Sequence, residues 1–527
     1  MPNRRNLLLL AGAALAAPRF VGAQGSAART LRFIPQGNLA NLDPIWTTTT
    51  LARNHALMVF DTLFGLGRDF QPKPQMAEGH EVSSDGLTVT IKLRPELRFH
   101  DGAPVRAADC IASVARWSKR DVLGSRLAAL LEEMTPLAED RFAIRLKRPW
   151  PGLIGAFAKA SANLCAIMPE RLARTDPFQQ VTEVVGSGPF RFRADQWVPG
   201  SLAAYERNAD YVARDEPRDF LAGGKRVHFD RVEWRVMPDP ATAAAALQAN
   251  EADWWETPLA DLLPVLRRSR DIAVEVVNDF GALGVMRFNH LHPPFDRVEV
   301  RRALLPAIDQ RSFMGALSED AGLWHVPAGA FTPGTPLAND AGLEVLTGPR
   351  SLPAAQAALR ASGYDGRRVV VLQPSDFPTL SALSEVAADT LRKVGFAVDL
   401  QAMDWGTLVQ RRASREPVER GGWNLFCTTW EGLDVSVPGS HQPLRGNGAQ
   451  GWFGWASSDR REALRDAWFD APDEAAERRI AEQLQMLVWE EVPFIPLGLW
   501  RPPMAYRRSL TNIVTGGPPI FWGVRRG

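Results

Sequence analysis

A chain of 527 residues cannot bury its apolar side chains in one core. Single hydrophobic cores stop growing at about 250–300 residues, so two large lobes or more are required. The apolar share of 45% and charged share of 23% are those of an ordinary globular protein. Disorder, a collagen-like repeat and a disulfide-dense scaffold are thereby excluded. Lys+Arg (61) and Asp+Glu (60) nearly cancel, and no basic stretch exceeds short Arg pairs. A nucleic-acid groove working through counterion release is not expected. The unusual feature is 17 Trp against 4 Tyr, which points to Trp on a binding surface.

Residues 1–23 have the pattern of an export signal and stand outside the fold. Arg4 and Arg5 precede an apolar run from Leu7 to Ala17, and Val21-Gly22-Ala23 supplies small residues before a cut. The run is far shorter than the ~20 residues that span a bilayer. Paired arginines before it resemble a twin-arginine signal, although Asn3 and Leu7 depart from that pattern and leave the Sec route open. With the three arginines of the signal removed, 58 of the 61 basic residues remain against 60 acidic ones. No Cys at the cut supports a lipid anchor, so a periplasmic location is expected. Cys110, Cys165 and Cys427 are far apart and odd in number, which favours buried free thiols.

Along the chain, strands and helices alternate without an internal repeat. A first strand is expected at Leu31 to Ile34, then a helix from Thr50 to Phe64. Leu87 to Leu93 alternates as a half-buried strand, followed by a helix from Arg106 to Trp117. Val232 to Val236 is a strand and Pro240 to Asn250 a helix. Val285 to Phe288 is a strand, and helices are expected at Val298 to Ile308 and Pro353 to Ser362. Val369 to Gln373, Thr379 to Val394 and Ala397 to Gln401 form a βαβ unit, and Asp473 to Glu491 a final amphipathic helix.

These segments carry motifs that together resemble one family. Asn41-Leu42-Asp43-Pro44 and Val59-Phe60-Asp61-Thr62-Leu63-Phe64 open the series. Met76-Ala77-Glu78-Gly79, Ser84-Asp85-Gly86-Leu87-Thr88, Phe99-His100-Asp101-Gly102 and Ala107-Ala108-Asp109 continue it. Gly186-Ser187-Gly188-Pro189-Phe190, Asn250-Glu251-Ala252-Asp253, Phe288-Asn289, Pro294-Phe295-Asp296 and Val300-Arg301-Arg302-Ala303-Leu304 complete it. The order resembles the peptide/nickel-type extracellular solute-binding family, the dipeptide- and oligopeptide-binding proteins of ABC importers. Pro306 breaks a helix usually continuous there, and Asn250 stands at a usual Gly.

The resemblance implies an α/β, two-lobe periplasmic binding protein fold with mixed sheets and an extra subdomain in lobe I. Lobe I would take residues 24–278, with 70–185 inserted, and the C-terminal segment from 496; lobe II would take 279–495. Crossings near Asp279-Phe280-Gly281 and Pro496-Leu497-Gly498 would form the hinge. The implied function is capture of a peptide or peptide-like solute by hinge closure, with delivery to an inner-membrane permease and its ATPases. The protein would act as a monomer, without a cofactor and without nucleic acid. An oligosaccharide, opine or metal chelate would suit the same fold.

The enzyme class, an exported hydrolase, lacks positive support. No G-x-S-x-G elbow, H-E-x-x-H helix or S-x-x-K pair is present. His290 and His292 share a face if extended, yet no third metal ligand lies near them. His100 is expected as a hydrogen-bonded turn residue, Gly186-Ser187-Gly188 as a turn, and Arg301 and Arg302 as a solvated helix face. The candidate ligand site is Trp423 to Trp455. Trp423, Trp430, Trp452 and Trp455 offer aromatic faces, Glu431 and Asp434 carboxylates, and Arg445 a cation in a Gly-rich segment. In peptide-binding relatives an Asp after such a Trp receives the α-ammonium group. Asp434, or Glu431 with a shifted loop, matches that position.

Overall fold

A computed structural model describes residues 29–527. The expected export signal, residues 1–23, lies outside the described residues. Two large mixed sheets organise the rest, each at the centre of one lobe. The first has seven strands in the order Phe190–Phe192, Leu202–Arg207, Arg231–Arg235, Thr30–Ile34, Trp254–Trp255, Met504–Arg507 and Ile272–Glu275. The second has six, in the order Trp324–His325, Phe494–Trp500, Ala282–Phe288, Leu425–Glu431, Arg368–Pro374 and Ala397–Met403. A separate four-stranded antiparallel sheet joins Ala77–Val82, Thr88–Leu93, Arg141–Leu146 and Leu131–Ala138. It packs with the helices Ala107–Trp117 and Val122–Leu130 around its own core, which includes Ile91, Val114, Trp117, Leu127 and Phe142.

The chain passes from the first large sheet to the second between Glu275 and Ala282, and returns between Trp500 and Met504. This corrects the expected return at Pro496-Leu497-Gly498. Those residues lie inside the strand Phe494–Trp500, which pairs antiparallel with Ala282–Phe288 up to Ala282↔Trp500. The seven residues of that strand are all buried. A fully buried strand shows no hydrophobic alternation to mark its end.

The βαβ unit has its expected order, with Arg368–Pro374 and Ala397–Met403 parallel around the helix Pro378–Val394. The helix buries Leu380, Leu383, Ala387, Leu391 and Val394 and ends at Gly395, whose φ of 117° suits its lack of a side chain. The final helix spans Glu474–Glu491, capped by Asp473, which accepts from the Ala476 N–H.

Two helices are shorter than expected, for local reasons. The helix from Thr50 ends at Val59, because the chain turns at Phe60 into the short strand Asp61–Thr62. The helix from Val298 ends at Arg302, and Leu305–Ala307 continues as a 3₁₀ turn around Pro306. Asn250 adopts φ 61°, a left-handed conformation that Asn tolerates better than most residues, where a Gly was expected.

Arg301 is also placed differently from expectation. It is buried, not solvated, and donates to the carbonyls of Phe295, Glu491 and Val492. Its charge thus meets the C-terminal end of the helix Glu474–Glu491, where free carbonyls favour a cation. Cys110, Cys165 and Cys427 are free and buried.

Candidate functional site

The lobes meet at the end of the strand Leu425–Glu431. The next turn, Gly432–Val435, crosses from one lobe to the other. Leu433 packs into the core of the seven-stranded lobe, while Val435 packs into that of the six-stranded lobe. Gly432 donates its N–H to the Gly281 carbonyl at 2.8 Å, and Thr332 Oγ1 donates to the Gly432 carbonyl at 2.6 Å. A Cβ on Gly432 would stand 2.0 Å from the Phe280 carbonyl oxygen, so only glycine allows this approach.

That turn carries the two candidate acids to the junction. Asp434 is buried and accepts from the Ala162 N–H of the opposite lobe at 3.3 Å. Ser161 also bonds its carboxylate. Glu431, half-buried at the strand end, accepts from Asn278 Nδ2 at 3.3 Å. Burial pushes the pKa of both carboxyls up, and the Asp434 charge raises Glu431 further.

A third acid faces them from the seven-stranded lobe. Glu256 follows the strand Trp254–Trp255 and is 6% exposed. It accepts from the Gln36 N–H at 2.8 Å and from Asn54 Nδ2 at 3.3 Å. Burial pushes its pKa up to about 7, and Glu431 adds to the rise. The cation acting on these acids is Arg53, on the helix Thr50–Val59 and 4% exposed. It donates twice to Asn54 Oδ1, at 3.2 and 3.1 Å, and among the described residues forms no ion pair. Its charge draws Glu256, Glu431 and Asp434 back toward the ordinary carboxylate range. Lys159 also acts on Asp434, but is itself held by Asp121.

The sequence-derived residues separate into two groups. Glu431, Asp434 and Trp430 stand together at the junction. Trp430 packs edge-on against Trp452, with centroids 5.1 Å apart, and its buried indole N–H has no acceptor among the described residues. Trp423 is fully buried, stacks near Phe426 and Trp455, and donates to the Arg412 carbonyl. Trp455 is 4% exposed and packs in the same cluster, with Arg415 over its ring. The four tryptophans therefore do not share one surface. Arg445 pairs with Glu462 at 2.9 Å, which occupies its charge within its own lobe.

Arg53 and Glu256 escaped the sequence reading. Their signal was weak: Arg53 is a charge inside a helix whose residues from Ala52 onward are all buried, and Glu256 directly follows two buried tryptophans. Of the other candidates, His100 bonds the Gly188 carbonyl at 3.0 Å, as a turn histidine should. His290 and His292 each meet a backbone carbonyl, of Pro493 and Arg415 respectively.

The comparisons with known proteins give this two-lobe architecture its class. The model of the bacterial extracellular solute-binding proteins, family 5 middle region, matches residues 71–452. The probable peptide ABC transporter periplasmic-binding protein y4tO of Sinorhizobium fredii is 36% identical over 531 residues, covering 99% of both chains. The glutathione-binding protein GsiB of Salmonella typhi is 26% identical over 490 residues, covering 90% of both. Among solved structures, AgaA of A. tumefaciens R10, in complex with agropinic acid, superposes with a TM-score of 0.78 at 21% identity, covering 94% of this chain and 99% of that one. The Helicobacter pylori DppA in complex with the peptide STSA gives 0.78 at 18% identity, covering 94% and 98%. The chain belongs to family 5 of the bacterial extracellular solute-binding proteins. It is a binding component of an ABC importer and not an enzyme.

Proposed function

We propose that this protein captures short peptides in the periplasm and delivers them to an inner-membrane permease and its ATPases. The observation that carries this reading is the placement of Asp434, buried, and Glu431, half-buried, at the lobe junction without an ion pair among the described residues. Two carboxylates in that setting call for a cation, and the α-ammonium group of a peptide supplies one. Trp430 and Trp452 add aromatic faces beside them. The 36% identical relative, a probable peptide ABC transporter periplasmic-binding protein, agrees with this choice.

The lobes would work as a monomeric clamp hinged at residues 276–281 and 501–503, with ligand favouring the closed form by its differential affinity. Arg4-Arg5 would direct export by the twin-arginine route. Small-angle scattering tests the clamp: a saturating dipeptide should lower the radius of gyration. An unchanged curve at saturation removes hinge closure from the account. Native mass spectrometry of protein purified from its own host tests the ligand, and a co-purified solute without a peptide bond would overturn the peptide assignment.

A further inference from the structure

The acids at the junction come from both lobes, and their number exceeds what one ammonium group can neutralise. This step rests on the solute-capture reading above and concerns the charge of the ligand. Glu256, Glu431 and Asp434 bring three negative charges. Arg53 brings one positive charge, and Lys159 is committed to Asp121. Two negative charges are left over when all three acids are ionised. Buried charges of one sign persist only where something neutralises them.

The three acids also have different surroundings. Asp434 is held by Ala162 and Ser161, Glu256 by Gln36 and Asn54, and Glu431 by Asn278 alone among the described residues. Beside them the buried Trp430 indole N–H lacks an acceptor among the described residues, which a ligand carbonyl would supply. Arg53 does not favour an anionic ligand group, because its charge already acts on all three carboxylates. Its role is that of a fixed counter-charge.

We propose that the site selects a ligand carrying two positive charges at one end, Glu431 and Asp434 receiving one and Glu256 the other. A peptide whose first residue is lysine, ornithine or arginine has this pattern. Glu256 is then the specificity-determining residue. The charged groups acting on it are Arg53 and Glu431, and its neutral partners are Gln36 and Asn54. A ligand with one positive charge leaves Glu256 protonated near neutrality, whereas a dication draws it into the ionised form. Discrimination should therefore grow as pH rises through 7.

Calorimetric titration of the mature protein with Lys-Ala, norleucyl-Ala and 1,5-diaminopentane tests this, since norleucine keeps the length of lysine without its charge. Lys-Ala should bind at least about tenfold more tightly than norleucyl-Ala at pH 8, and that ratio should fall by about tenfold at pH 5.5. Glu256→Gln should bring the ratio close to one at both values. If that variant does not fold, the wild-type pH comparison decides alone. Equal affinities for the two dipeptides at pH 8 would overturn the dication and leave the peptide reading standing. Binding of the diamine with neither dipeptide would keep the dication and overturn the peptide. No binding of any probe overturns both.

Discussion

Buried charge is handled in two ways in this molecule. Inside the seven-stranded lobe it is matched. Asp43 and Arg116 are both nearly inaccessible and meet through two bonds of 3.0 and 2.6 Å, and Asp43 also accepts from the Val181 N–H. Lys225 meets Asp61 at 2.7 Å, and Asp253 receives both Arg32 and Arg526. At the lobe junction, Glu256, Asp434 and Arg53 are buried and Glu431 is half-buried, and none of the four forms an ion pair among the described residues. Matched pairs hold a fold in one arrangement. The unmatched cluster costs the empty protein free energy that an arriving cation recovers, and this is how a fold spends stability on binding.

The contrast is broken most severely at a matched pair. Asp43→Asn would leave Arg116 buried against a neutral partner, at a cost of about 3–5 kcal/mol. Chemical denaturation should show that loss at pH 7, with peptide affinity of the folded fraction unchanged. A loss below about 1 kcal/mol would mean that the pair behaves like an exposed one.

The converse change at the junction should spare the fold and cost binding. Asp434→Asn would keep the Ala162 bond but remove the charge that receives an ammonium group. A peptide should then bind roughly two to three orders of magnitude more weakly. The empty protein should not lose stability, because a desolvated carboxylate has been removed. Glu431→Gln, titrated alongside, shows which acid is the principal anchor. Equal affinities in wild type and both variants would remove both acids from the site.

The same contrast explains what could be read from the sequence. Elements whose periodicity is one-sided were legible almost to the residue: the strand Thr88–Leu93 alternates half-buried and buried positions, and the helix Pro378–Val394 presents a single apolar stripe. The strand Phe494–Trp500 was misplaced as a crossing because burial on both faces erases alternation. In the site, Glu431 and Asp434 were legible because they follow Trp430 within one short segment and resemble a family position. Arg53 and Glu256 were not, since they lie about 200 residues apart, and Asn54, next to Arg53, reaches Glu256 only after the sheet places Thr30–Ile34 beside Trp254–Trp255. Tryptophan content was an ambiguous guide. Trp423 and Trp430 are seven residues apart on one segment, yet the first is core and the second flanks the acids.

The smallest expected effect concerns pH. The Glu256 carboxyl ordinarily titrates near 4.5 and in the fold near 7. Between those values the folded state holds a proton that the unfolded chain has released, so stability falls as pH rises through this window and levels off above it. The shift corresponds to at most about 3 kcal/mol. Buried histidines act in the opposite sense. Burial lowers His55 to about 3 and His100 and His441 to about 4, so the fold loses stability as pH drops below the ordinary histidine value. The two trends overlap in the wild-type curve, and Glu256→Gln separates them. The variant should match the wild type below pH 4.5 and become progressively more stable than it up to pH 7. A difference that stays constant across that range would show that Glu256 titrates as an ordinary carboxylate, and that the junction carries less unmatched charge than its burial implies.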